Sequence, residues 1–165
     1  VVDDSVHEYK PLHMYVASGE WENAKSIINK DETAIFSTSS TGRTILHVAV
    51  IAGYENIVRN LVKIAKEKLV KMQDNCDYTA LALAAEFTGN VRIAKCMVDH
   101  MKKGGKDLLT MKTKGGEIPV LLSAAKGYKD MTRFLYSRTQ LEAFIDENSN
   151  NGVLLLARCI TAEIF

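Results

Sequence analysis

The chain has 165 residues, about the size of one domain, with 47% hydrophobic and 25% charged residues and only two prolines, which excludes a disordered tail, a collagenous chain and a small disulfide scaffold. Its 21 Lys and Arg against 20 Asp and Glu leave a net charge of +1, so no global field draws it to nucleic acid or to an anionic membrane.

Taken in chain order, four stretches follow one template: KPLHMYVASG at 10–19, RTILHVAVIAG at 43–53, YTALALAAEFTG at 78–89 and EIPVLLSAAKG at 117–127. Each is followed by a second segment, WENAKSII, YENIVRNLV, NVRIAKCMV and YKDMTRFLY, with apolar residues at the i, i+3, i+4 spacing of an amphipathic helix. The unit reads as helix, tight turn, helix, loop. Its closing glycines, at 19, 53, 89 and 127, are spaced 34, 36 and 38 residues apart. The excess over a regular repeat is expected in the connections KIAKEKLVKMQD and DHMKKGGKDLLTMK, lengthening loops and not packed helices. A further first helix, NNGVLLLARCITAEIF, follows the DENSN turn. The Val1 start and this apolar ending lead us to expect a longer parent protein.

Local chemistry supports the template. Pro11 and Pro119 fall in the first turn of a helix, where the missing N–H costs nothing. Thr44 and Thr79 stand as N-caps, and Gly19, Gly53, Gly89 and Gly127 end their helices in the left-handed conformation. Gly42 and Gly116 sit in the preceding turns, where positive φ is also expected. Ala49, Ala84, Ala85 and Ala124 let neighbouring helices approach closely.

These residues resemble the ankyrin repeat, whose pattern runs Asp-x-x-Gly-x-Thr-Pro-Leu-His-x-Ala-Ala-x-x-Gly. Leu12-His13, Leu46-His47 and Ala84-Ala85 match outright. Lys10, Ile45, Ala80, Ala82 and Leu121 depart from it, and the third unit carries one extra residue between Ala85 and Gly89. The resemblance implies an all-α solenoid of helix-turn-helix units joined by hairpin-like loops. It divides a single domain of residues 1–165 into repeats at about 5–38, 39–73, 74–112 and 113–145, with a partial repeat at 146–165. The texture of the connections is similar to that of plant ankyrin proteins with a C-terminal multi-span membrane domain of the PGG type, the accelerated-cell-death group. That likeness implies a cytoplasmic module of a defence or stress-signalling protein, tethered by its parent and binding another protein, with no nucleic acid, no cofactor and no direct membrane contact.

Other chemistry is weighed residue by residue. His13 and His47 occupy the repeat's own histidine slot, where an imidazole bonds groups between units; His7 and His100 share no ligand spacing. Cys76, Cys96 and Cys159 form neither a disulfide framework nor a zinc site, which fits a reducing compartment. DENSNNG at 146–152 fails as a calcium loop, because Asn151 stands where glycine and Ala157 where the closing glutamate should be. KKGGK at 102–106 lacks the Walker spacing, and the basic 63–71 stretch runs past a helix end without interleaved aromatics. No nucleophile, general base or metal set emerges, so neither catalytic nor metal-binding residues are expected.

Stacked units of this kind present their tips and the ends of their first helices along a concave groove. Projection of the template assigns to it Ser40, Thr41, Arg43 and Ile51, then Asn75, Tyr78, Glu86 and Phe87, then Lys114, Glu117 and Lys126. Arg43, Tyr78 and Phe87 are the expected hot spot, because aromatic and arginine side chains dominate interfaces. For Phe87, beside the extra residue, an inward, packed position stays open. Trp21, opening a second helix, is expected to pack.

Overall fold

A computed structural model describes residues 9–100, 105–145 and 150–164. The first unit pairs α1 (Lys10–Ala17) with α2 (Trp21–Lys30), followed by a 3-10 turn at Glu32–Phe36. The second pairs α3 (Ile45–Ala52) with α4 (Glu55–Lys71). In the third, α5 (Ala80–Leu83) runs into a π-helical turn at Ala84–Thr88 and is followed by α6 (Val91–Val98) and the short α7 (Gly105–Leu108). The fourth pairs α8 (Pro119–Ala125) with α9 (Lys129–Arg138), followed by the short α10 (Glu142–Ile145) and by α11 (Asn151–Thr161). The fold is an all-helical solenoid.

First helices stack on first helices, α1 on α3, α3 on α5 and the π turn, the π turn on α8, and α8 on α11. Second helices form an outer layer, with α4 on α6 and α6 on α9. Between the layers lies one continuous core that includes Leu12, Leu46, Leu81, Ile93, Met97 and Leu135, all fully buried. Ala49, Ala84, Ala85 and Ala124 are buried at the first-helix contacts, where a larger side chain would force the layers apart. Trp21 is half-buried and packs against this core, as expected. The four closing glycines have φ of +81°, +79°, +61° and +72° in chain order, which lets each chain leave its helix within one residue.

One expectation needs correction. The stretch 63–71 is not a connection: α4 continues through it to Lys71. It contains no glycine or proline, and its apolar stripe runs on from Leu61 and Val62 through Ala65 to Leu69 and Val70, both buried. The Lys68 ammonium sits 4.2 Å from the centroid of the Phe36 ring, and Lys71 pairs with Glu67 at 2.5 Å and with Asp107 at 3.1 Å. The added length of this repeat is thus carried by a packed helix. In the third unit the extra residue is absorbed by the π turn, in which the Gly89 N–H reaches the Ala84 carbonyl at 2.9 Å.

Candidate functional site

The unit tips are tied to one another by main-chain bonds. The Asn75 N–H donates to the Thr41 carbonyl at 3.0 Å, its side-chain amide donates to the Ser40 carbonyl at 3.1 Å, and the Lys114 N–H donates to the Cys76 carbonyl at 3.1 Å. Gly42, at φ +75°, makes the first approach possible: a Cβ there would lie 2.3 Å from Asn75 Oδ1 and 2.8 Å from its backbone nitrogen. Arg43 Nε meets Oδ2 of the buried Asp74 at 3.3 Å. Asp74 Oδ1 accepts the N–H groups of Cys76 at 2.9 Å and Tyr78 at 3.0 Å, which folds the third tip.

His47 fastens this tip from beneath. Its Nε2 donates to the Tyr78 carbonyl at 2.8 Å, so its Nδ1 is the acceptor facing the Thr44 N–H at 3.1 Å and hydroxyl at 2.8 Å. Burial pulls its pKa below the ordinary imidazole value. In the first unit His13 Nε2 lies 3.2 Å from the Ser37 hydroxyl, at the end of the same unit, and burial lowers this ring's pKa too. His47 therefore has the inter-unit bonding role expected of the slot, whereas His13 bonds within its own unit.

Beside the tips, Tyr78, Glu86, Thr113, Glu117, Lys126 and Arg158 line a concavity of about 260 Å³. The Tyr78 hydroxyl donates to Glu86 Oε2 at 2.5 Å. Its pKa is pushed up to about 12, first by desolvation, then by the bond to Glu86 and by the charges of Glu86, Glu117 and Asp74 around it. Glu86 Oε1 faces the Lys126 ammonium at 3.5 Å. Arg158 grips Glu117 with both terminal nitrogens, at 2.7 and 2.8 Å, and gives a further bond to the Leu121 carbonyl at 2.9 Å. This holds the Glu117 carboxyl below the usual carboxylate range.

Phe87 points outward, 56% exposed, with its ring centroid 6.3 Å from that of Tyr78 and the planes tilted by 45°. The π turn that accommodates the extra residue also carries Phe87. Ile51, 43% exposed, stands at the same place relative to its closing glycine, two residues before Gly53. Tyr78, Glu86, Glu117 and Lys126 thus come together in one concavity with Phe87 beside Tyr78, and Arg43 lies on the next rung. Ser40, Thr41 and Asn75 form the exposed tips with Lys114. Asp74 and Arg158 were not anticipated. A lone arginine inside the apolar run VLLLARCI was the available signal for the second.

Among the described residues, no group of three or more His, Cys, Asp or Glu is placed to hold a metal ion, and no helix is long and apolar enough to cross a membrane. His7, Lys102, Lys103, Gly104, Asp146 and Asn148 lie outside the described residues. The ankyrin repeat family model matches residues 41–71, which span the second tip, α3 and α4. No curated protein matches the sequence.

Proposed function

From an ankyrin-repeat solenoid as premise, we propose that this chain is a non-catalytic protein-interaction module whose groove centres on Arg43, Tyr78 and Phe87. The observation that carries the reading is Phe87, a large apolar ring held out to solvent by a π turn and placed against Tyr78. Such a ring adds apolar area to an interface at small entropic cost, while in the free chain it contributes little to folding. Around it the charged groups largely pair with one another, so a partner meets an ordered surface.

The test is capture of the native partner by purified chain. Arg43→Ala with Phe87→Ala, and separately Tyr78→Phe with Phe87→Ala, should abolish capture while the helical circular-dichroism signal and the melting transition stay intact. Asn56→Ala on the outer helix α4 should leave capture unchanged. Full capture by both groove variants overturns the site.

The similarity of the connections to plant ankyrin proteins with a multi-span membrane domain supports a finer setting: the cytosolic part of a defence or stress-signalling protein, at a membrane face. Carbonate extraction of the native full-length protein tests this, and release of all of it with the soluble fraction would refute tethering. A second reading, self-association within a membrane transport or sensing protein, is favoured by one observation. Val153, Leu156 and Ile160 leave an i, i+3, i+7 apolar stripe exposed on α11, beside a concavity of about 350 Å³ lined by Tyr136, Leu141 and Phe144. Light scattering over a range of concentrations, with Leu156→Glu as control, decides it.

A further inference from the structure

The concavity between the third and fourth units combines a fixed acceptor, the ring of Tyr78 in its wall and an occupant supplied by the chain itself. Two of its charged groups are committed to each other: Arg158 takes both oxygens of Glu117 and adds the Leu121 carbonyl. On the adjoining rung, Asp74 receives Arg43 and two backbone N–H groups.

Glu86 differs. Its Oε2 is pinned by the Tyr78 hydroxyl, while its Oε1 has only the Lys126 ammonium at 3.5 Å. That separation is well beyond the roughly 2.7–2.9 Å of a charge-assisted hydrogen bond. The Glu86 side chain is 17% exposed and that of Lys126 45%, so a carboxylate held in place faces a cation on a flexible, solvated stem. The chain's own ammonium already stands in for a ligand, but without close contact. A second cation would find the ring of Tyr78 in the wall beside it, with Phe87 next to Tyr78 at the mouth, so that a desolvated cation gains from an aromatic face. An anion would instead face the carboxylates of Glu86 and Glu117, because the cations of the same lining, Lys126 and Arg158, are already turned to those carboxylates.

We propose that this concavity, within the protein-binding groove read above and resting on that reading, takes one basic side chain of the partner, lysine or arginine. The cation displaces Lys126 from Glu86 Oε1 and lies against Tyr78 and Phe87. The displaced Lys126 moves into solvent, so one positive charge replaces another and the site's net charge is unchanged.

The experiment is a titration of the isotope-labelled chain, followed by amide NMR, with blocked pentapeptides Gly-Gly-Lys-Gly-Gly and Gly-Gly-Arg-Gly-Gly. Matched peptides with acetyl-lysine, citrulline or glutamate at the centre serve as comparisons. The basic peptides should shift the amides of Glu86, Phe87 and Gly115 in a saturable way, and the neutral and acidic ones should not. Glu86→Gln, which can still accept from Tyr78, should weaken binding about tenfold. Lys126→Ala removes the internal competitor and should tighten binding by up to about fivefold, the size of an exposed ion pair. Equal binding of the neutral peptides, preference for the acidic one, or weaker binding by Lys126→Ala would overturn the proposal. The two readings fail separately. Partner capture lost in the groove variants without any basic-peptide binding leaves the groove standing and removes its charge selectivity. Basic-peptide binding with capture unaffected by those variants does the reverse.

Discussion

Gly42→Ala should cost far more stability than Gly53→Ala, although the two glycines have nearly the same φ, at +75° and +79°. An alanine held in the left-handed region costs about 1–2 kcal/mol at either position. At Gly53 nothing lies within 4 Å of the added Cβ, so that conformational term is the whole effect. At Gly42 the Cβ would lie 2.8 Å from the Asn75 backbone nitrogen, and moving the tip away stretches the bonds from Asn75 to the Thr41 and Ser40 carbonyls. At about 0.5–1.5 kcal/mol each, their loss brings the Gly42 penalty to about 2–5 kcal/mol. Urea unfolding of the two variants beside the parent chain, read as midpoint shifts at unchanged slope, measures the difference. Equal shifts would mean that the contact between tips contributes nothing to the stack.

Three further outcomes follow from packing and charge. Leu69→Ala should destabilise by about 2–5 kcal/mol in the same assay, because Leu69 is fully buried at the far end of α4; a cost near zero would mean that this end of the helix is frayed in solution. His47 and His13 have pKa values lowered by burial, so the unfolded chain binds protons first; stability is complete above about pH 6.5 and declines as pH falls below it. His47→Gln should flatten part of that decline in midpoints measured from about pH 7.5 to 5, and an unchanged slope would assign the effect elsewhere. Arg158→Lys keeps the charge but loses the two-pronged grip on Glu117 and the bond to Leu121, and should cost about 1–2 kcal/mol with a rise in the Glu117 carboxyl pKa seen by NMR; a titration identical to the parent's would refute the pairing.

What could be read from sequence was whatever a single residue enforces locally. Glycines at 19, 53, 89 and 127 fix where first helices end, Pro11 and Pro119 fix where they begin, and His47 repeats a bond that its slot demands. What sequence left undecided or misread depended on competition between conformations. Residues 63–71 are rich in lysine and resemble a solvated connection, yet burial of Leu69 and Val70 favours the helix. The extra residue near Gly89 could have formed a wider loop or a π turn, and the packing of both flanking helices decides that it is a turn and sends Phe87 outward. Arg158 and Glu117 are 41 residues apart, and no local pattern announces a pair at that separation.

The main-chain bonds between tips set a pitch along one edge of the molecule, while the outer helices differ in length from the eight residues of α6 to the seventeen of α4. Spacing along the groove is therefore decoupled from repeat length. A segment can be added to an outer helix, or a new connection built behind it, without moving Arg43 relative to Asp74 or Tyr78 relative to Glu86. The inner edge acts as a ruler of fixed graduation, and a ligand that matches two neighbouring tips meets the same step at the next pair.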